Sequence, residues 1–244
     1  MRGVRVIPAL LLRKKGLVKT VKFKNPVYVG DPINAIKIFN EKEVDELVFL
    51  DIEITQKGGE PDYSLLEEFA SEAFFPLAYG GGISNLDQVK RIFRIGVEKI
   101  VLSSAAISDP NLVTEIANYA GSSSVVVCID VKKSFLGAYK IYNRNRQKLQ
   151  NPNPFDMAKS MEELGAGEII VNSVDLDGTM LGYDYELIEK ISEAVSIPVV
   201  ALGGAGSLED FKEAIKSGAS AVAAGSFFVF FGKLKAVLIT YPNE

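Results

Sequence analysis

The sequence predicts an α/β fold, a (β/α)8 barrel assembled from two duplicated half-barrels. Three observations carry this reading. Eight short, nearly continuous apolar runs recur along the chain. Helical periods separate most of them. Features of the first half return in the second at one constant spacing. Continuous apolar runs suit strands buried on both faces, as in a parallel sheet. Strand–helix alternation over this length favours a barrel over a doubly wound sheet.

The strand-like runs are residues 4–10, 46–51, 75–79, 99–103, 124–130, 168–173, 198–202 and 221–224. Between them, Asp31-Pro32 opens a helix through a side-chain cap and a proline at the first helical position. Residues 207–218 run from a Ser cap to a Gly stop. The repeat is explicit. Glu46-Leu47-Val48-Phe49 returns as Glu168-Ile169-Ile170-Val171, Pro76 as Pro198, and Gly81-Gly82 as Gly203-Gly204. Gly96 returns as Gly218 and Ser104 as Ser226, every pair 122 positions apart, half of 244. Internal repeats dominate a fold assignment. One domain over residues 1–244 is expected, with half-barrels at about 1–121 and 122–244. The least regular stretch, residues 142–154 with its Asn and Pro residues, reads as a mobile loop on the catalytic face.

Composition removes several function classes. With 27 basic against 31 acidic residues, the chain lacks the basic excess of nucleic-acid or membrane-surface proteins. There is no His, which excludes Ser-His-Asp and Cys-His catalysis and His-ligated metal or haem. Acid–base work falls to Asp, Glu, Lys, Tyr or the single Cys, and neither metal nor cofactor is expected. One Cys permits no internal disulfide and fits a reducing compartment. The apolar run of residues 6–12 is closed by Arg13-Lys14-Lys15 without a small-residue cleavage site, and no stretch approaches the ~18 apolar residues of a membrane span. A cytoplasmic protein is expected.

The chemistry concentrates at strand ends. Gly-rich turns follow strands 3 and 7 (Gly80-Gly81-Gly82 and Gly203-Gly204-Ala205-Gly206), and Ser103-Ser104 and Gly225-Ser226 follow strands 4 and 8. Glycine lets backbone N–H groups approach an anion, and barrels bind phosphate at this rim. Two cradles, one per half, would hold a ligand with a phosphate at each end; the plainer reading is tight turns. Strand 1 aligns with strand 5 at a spacing of 119, which sets Leu11 opposite Asp130 at the mouth. A two-carboxylate acid–base pair needs Asp at both places, and only Asp130 is there. A strand-end carboxylate satisfied by Lys132 or a backbone N–H is the alternative. Asp51, Asp175 and Asp177 also end strands, with Asp177-Gly178 in a turn. At the opposite face Arg5, Glu46, Lys99 and Glu168 begin strands. From the residues alone these four read first as stability or solubility groups, and second as a salt-bridged ring across the barrel floor. Cys128 reads as a packed strand residue, and residues 139–146 as loop surface rather than an RNA site.

Over nearly its whole length the chain resembles the cyclase subunit of imidazole glycerol phosphate synthase. The matching stretches are Arg5-Val-Ile-Pro8, Val18-Lys19, Asp45-Glu-Leu-Val-Phe-Leu-Asp-Ile52, Gly80-Gly-Gly-Ile83, Val125-Val-Val-Cys-Ile-Asp130, Gly165-Ala-Gly-Glu168, Asp175-Leu-Asp-Gly-Thr179, Gly182-Tyr-Asp184 and Gly203-Gly-Ala-Gly206. The resemblance implies a duplicated barrel that pairs with a glutaminase on its N-terminal face and receives ammonia through the barrel. It implies conversion of a bisphosphorylated ribulosyl-formimino ribotide to imidazole glycerol phosphate and an aminoimidazole carboxamide ribotide. It makes Arg5, Glu46, Lys99 and Glu168 the ammonia gate, with Glu98 a rim contact. It places one phosphate at Gly82, Ser103 and Ser104, and the other at Asp177, Gly178, Gly203, Gly204, Gly225 and Ser226.

The chain departs from this family at Leu11, where the resemblance implies an Asp paired with Asp130. The Asn/Pro stretch at 142–154 and the tail ending Pro242-Asn243-Glu244 are also atypical. The combination resembles the paralogous branch associated with acetamidino-sugar modification of surface polysaccharides. That branch implies a third partner, a sugar amidotransferase that takes the ammonia.

Overall fold

Along each apolar run, alternate residues face opposite ways, so a strand in a closed barrel must satisfy an interior and a helix layer at once. The computed structural model, which describes residues 3–144, 147–150, 152–232 and 234–242, has eight such strands. They are β1 (Arg5–Arg13), β2 (Leu47–Asp51), β3 (Leu77–Gly80), β4 (Lys99–Leu102), β5 (Val125–Lys133), β6 (Glu168–Ser173), β7 (Val199–Leu202) and β8 (Ala221–Ala224). Each pairs in parallel with the next, and β8 pairs with β1, which closes the barrel. The expected (β/α)8 barrel is the architecture of this chain.

Helices follow the strands. They are α1 (Pro32–Glu41), α2 (Tyr63–Glu72), α3 (Leu86–Ile95), α4 (Asn111–Ala120), α5 (Pro154–Glu163), α6 (Tyr185–Ala194) and α7 (Leu208–Lys216), with short turns of helix at Ile54–Lys57, Ser104–Ser108 and Ser226–Val229. Capping follows the sequence signals. The Asp31 carboxylate accepts from the Asn34 N–H at 2.9 Å, and Ser207 forms a reciprocal capping box with Asp210.

The period of two sorts the strand residues. On β1, Val6, Leu10 and Leu12 join the core under the helices, while Ile7 and Ala9 face the barrel interior. On β5, Val125, Val127, Ile129 and Val131 face the helices, and Val126 and Cys128 face inward. Leu11 and Asp130 therefore hold the same inward register, two residues beyond Ala9 and Cys128. The interior is small and apolar, with Ala78, Val101, Ile170, Val200, Ala221 and Ala223 among its residues.

Two features differ from the sequence expectation. First, β1 and β5 run on to Arg13 and Lys133 instead of ending near Leu10 and Asp130, because each continues as the arm of an antiparallel excursion. After β1, the strand Gly16–Val21 folds back against Leu11–Arg13, and Lys24–Gly30 pairs in turn with Gly16–Val21. After β5, Tyr139–Asn143 pairs with Val131–Lys133 and with Lys148–Gln150. Second, the stretch expected to be a mobile loop at 142–154 thus carries strand at both its start and its middle, although Asn145, Arg146 and Asn151 lie outside the described residues. Of the tail, Asn243 and Glu244 also lie outside them. Tyr241, just before, stacks on Phe228 with ring centroids 5.5 Å apart and donates to the Val6 carbonyl at 2.9 Å.

Candidate active site

The inward register that carries apolar residues through the barrel changes character at both ends. At the N-terminal end it is charged. Arg5 and Lys99 open β1 and β4, Glu168 opens β6, and Glu46 immediately precedes β2. Arg5 Nη1 lies 2.7 Å from Glu46 Oε2, and Arg5 Nη2 bonds Glu168 Oε1. Lys99 Nζ lies 2.8 Å from the same Glu46 oxygen and 3.0 Å from Glu168 Oε2. Every cation touches both carboxylates, so the four close a ring across the floor. Glu46 and Glu168 are only 4% and 5% exposed. Burying a carboxylate at this depth without such partners is costly. Glu98 does not join the ring; its carboxylate accepts the Leu77 N–H at 2.7 Å.

At the C-terminal end the register opens into a pocket. All the residues expected at the mouth line it: Gly82, Ser103 and Ser104 on one side, Asp177, Gly178, Gly203, Gly204, Gly225 and Ser226 on the other, with Asp130 and Leu11. The two halves repeat at the backbone. Ser103 (φ −127°, ψ −79°) and Gly225 (φ −109°, ψ −66°) share one conformation, each just before a turn of helix. Gly203 sits at φ +90°, and a Cβ there would lie 2.5 Å from Asn172 Oδ1, so both conformation and space require glycine. One expected donor is engaged: the Gly82 N–H donates to Thr55 Oγ1 at 3.0 Å.

Asp130 is held by neighbours other than those expected of a merely satisfied strand end. Asn172 Nδ2 donates to it at 2.9 Å, and Ser103 Oγ approaches at 3.4 Å. Burial pushes its pKa up to about 6, against the lowering by the Asn172 hydrogen bond and the Arg144 charge. That value lets it exchange a proton near neutral pH. Asn172 Oδ1 is buried without a partner among the described residues, an acceptor left for a ligand N–H or O–H. Asp177 is also raised by burial, opposed by Lys19 and Thr20. Asp51 and Asp175 are used locally, accepting the backbone N–H groups of Glu53 and Lys133 at 2.9 Å each.

The sequence left out the groups that the two hairpins supply. Lys19 reaches back from the first hairpin to donate to the Ala9 carbonyl at 2.9 Å. Burial pulls its ammonium down to about 8, opposed by Asp177. Thr20 Oγ1 lies 3.3 Å from Asp177 Oδ2. Phe23 and Arg144 complete the lining. A Cβ on Gly225 would fall on the Lys19 ammonium and 2.9 Å from the Ala9 carbonyl. Gly225→Ala is expected to displace Lys19, cost about 1–3 kcal/mol in overpacking, and abolish the thermal shift produced by a bisphosphorylated ligand. An unchanged shift would separate Gly225 from the anion site.

Among the described residues, no group of three or more Asp, Glu or Cys side chains is placed to hold a metal ion. No helix among them is long and apolar enough to cross a membrane.

Comparison with known proteins assigns this architecture. The family of histidine biosynthesis proteins matches residues 5–235. A provisionally named imidazole glycerol phosphate synthase subunit HisF of Leptospira borgpetersenii is 53% identical over 241 residues, covering 98% of this chain and 95% of the relative. A provisionally named subunit hisF2 of Pseudomonas aeruginosa is 51% identical over 240 residues, covering 98% and 96%. The imidazole glycerol phosphate synthase subunit HisF of Thermococcus onnurineus is 41% identical over 234 residues, covering 96% and 92%. The chain belongs to the histidine biosynthesis protein family, among the HisF-type imidazole glycerol phosphate synthase subunits.

Proposed function

We propose that this barrel is the ammonia-receiving subunit of a glutamine amidotransferase, and that it relays ammonia to a sugar-modifying partner instead of completing the cyclase reaction. A glutaminase docks on the N-terminal face, over the ring of Arg5, Glu46, Lys99 and Glu168. Ammonia crosses the small apolar interior. A bisphosphorylated ligand spans the two cradles, with Lys19 supplying a cation beside Gly225. The acceptor of the ammonia is a third protein, a sugar amidotransferase.

The observation that carries this reading is the inward position of Leu11. It shares the register of Asp130 on the opposite wall of the barrel and lines the same pocket. A leucine neither gives nor takes a proton, and loss of one positioned acid–base group costs on the order of 10²–10⁴ in rate. A cyclase of histidine biosynthesis is the second reading, favoured by the preserved Asp130 environment and by both cradles.

The test is a cyclase assay on the purified chain with the bisphosphorylated ribotide and saturating ammonium, with a thermal-shift titration of the same ribotide as binding control. Binding without turnover is expected, and Leu11→Asp is expected to raise turnover by on the order of 10²–10⁴. Imidazole glycerol phosphate formed by the unaltered chain at rates that Leu11→Asp does not improve would establish the second reading.

A further inference from the structure

The two hairpins are rooted on opposite walls, on β1 and on β5, yet they touch above the pocket. The Phe23 ring of the first lies 6.0 Å from the Tyr142 ring of the second. The Arg144 guanidinium lies over Phe23, 5.1 Å from its centroid, and the Lys132 ammonium lies 5.7 Å from that of Tyr142. Together they form an arch across the mouth, and Phe23 and Arg144 both line the pocket beneath.

Arg144 is the notable member. Among the described residues, Lys19 and Arg144 are the two cations lining the pocket. Lys19 is committed to one cradle, beside Gly225. Arg144 instead belongs to the arch, which is rooted on β1 and β5 between the cradle of β3 and β4 and the cradle of β7 and β8, and its guanidinium is held over Phe23. It therefore stands over the middle of the mouth, between the cradles, where Leu11 contributes nothing polar. A guanidinium is a rigid fork of donors, and ring stacking fixes its plane.

We propose that Arg144 is a specificity residue that donates to oxygen atoms in the middle of a bisphosphorylated ligand, and so selects an oxygen-rich chain between the two phosphates. The inference rests on the two-cradle reading above. It gives Arg144 a role separate from phosphate binding: its donors read what lies between the ends.

The experiment uses two probes of equal phosphate spacing, sorbitol 1,6-bisphosphate and hexane-1,6-diol bisphosphate, titrated calorimetrically into the unaltered chain and into Arg144→Gln. The readout is the ratio of the two dissociation constants, in which any general loss of positive charge cancels. The unaltered chain is expected to prefer the sorbitol probe, and Arg144→Gln to shrink that preference by on the order of 10-fold or more, the loss of charge-assisted hydrogen bonds. Phe23→Leu keeps the charge but removes the stacking surface, and is expected to lose part of the preference. It also serves if Arg144→Gln fails to fold. A preference left intact in both variants, or none in the unaltered chain, overturns the role of Arg144 while the cradles stand. If neither probe binds the unaltered chain, the two-cradle reading fails and this one with it.

Discussion

Asp130→Asn is expected to stabilise the protein at pH 8 by about 3 kcal/mol, and to leave it unchanged at pH 3.5. The size follows from a carboxyl moved from near 3.9 to about 6, at 1.36 kcal/mol per unit. Because the folded state holds the proton more tightly, its advantage is full below the unfolded value and is lost as pH rises from about 4 to about 6. Above that window the wild type carries an ionised, buried carboxylate, and an amide does not ionise. Asn at this position keeps one oxygen to accept from Asn172 Nδ2 and turns its amide N–H groups toward Ser103 Oγ, which can accept. Urea midpoints of both proteins across pH 3.5–8 test this; a difference that stays flat with pH would show that Asp130 is not buried as a strained carboxylate. The gain would also mark Asp130 as a residue kept at the expense of stability, a pattern common at working sites.

The second large effect lies at the other end of the barrel. Lys99→Ala leaves Glu46 and Glu168 sharing Arg5 alone, and removing one member of a buried ion pair costs about 3 kcal/mol. With a glutaminase docked, the variant is expected to uncouple glutamine hydrolysis from amidated product, while turnover driven by added ammonium stays at the unaltered level. The ratio of glutamate released to product formed measures this. A ratio that stays at the unaltered value would refute the ring as an ammonia gate and leave it a stability device.

The sequence showed the barrel because its strands are buried on both faces, and such runs stand out without any alignment. It placed Asp130 and the Gly- and Ser-rich turns at one end of the barrel and the four floor charges at the other because each sits at a strand end and the halves repeat. What it hid has physical causes. The first hairpin turns at Lys14-Lys15 and Lys22-Phe23, with φ between 49° and 63°. These positions normally advertise themselves by Gly, Asn or Asp, and here they carry none. The hairpin strands are largely exposed in places: Val27 and Tyr28 are open to solvent, so no burial pattern announced them. Arg144 reads as loop surface, and Lys19 has no role assigned from its sequence position, until the excursions that carry them fold over the mouth. The pairing within the floor ring was also beyond reach, since four charges at strand starts do not say which touches which.

The contact of Tyr241 with Val6 has a bearing on chain connectivity. It brings residues from the two extremes of the sequence side by side, at a barrel seam where β8 already pairs with β1. The order in which the two halves are read along the chain is then structurally arbitrary. Joined near Val6 and Tyr241 and opened at Gly121, between α4 and β5, the same residues could be threaded second half first with every barrel pairing retained.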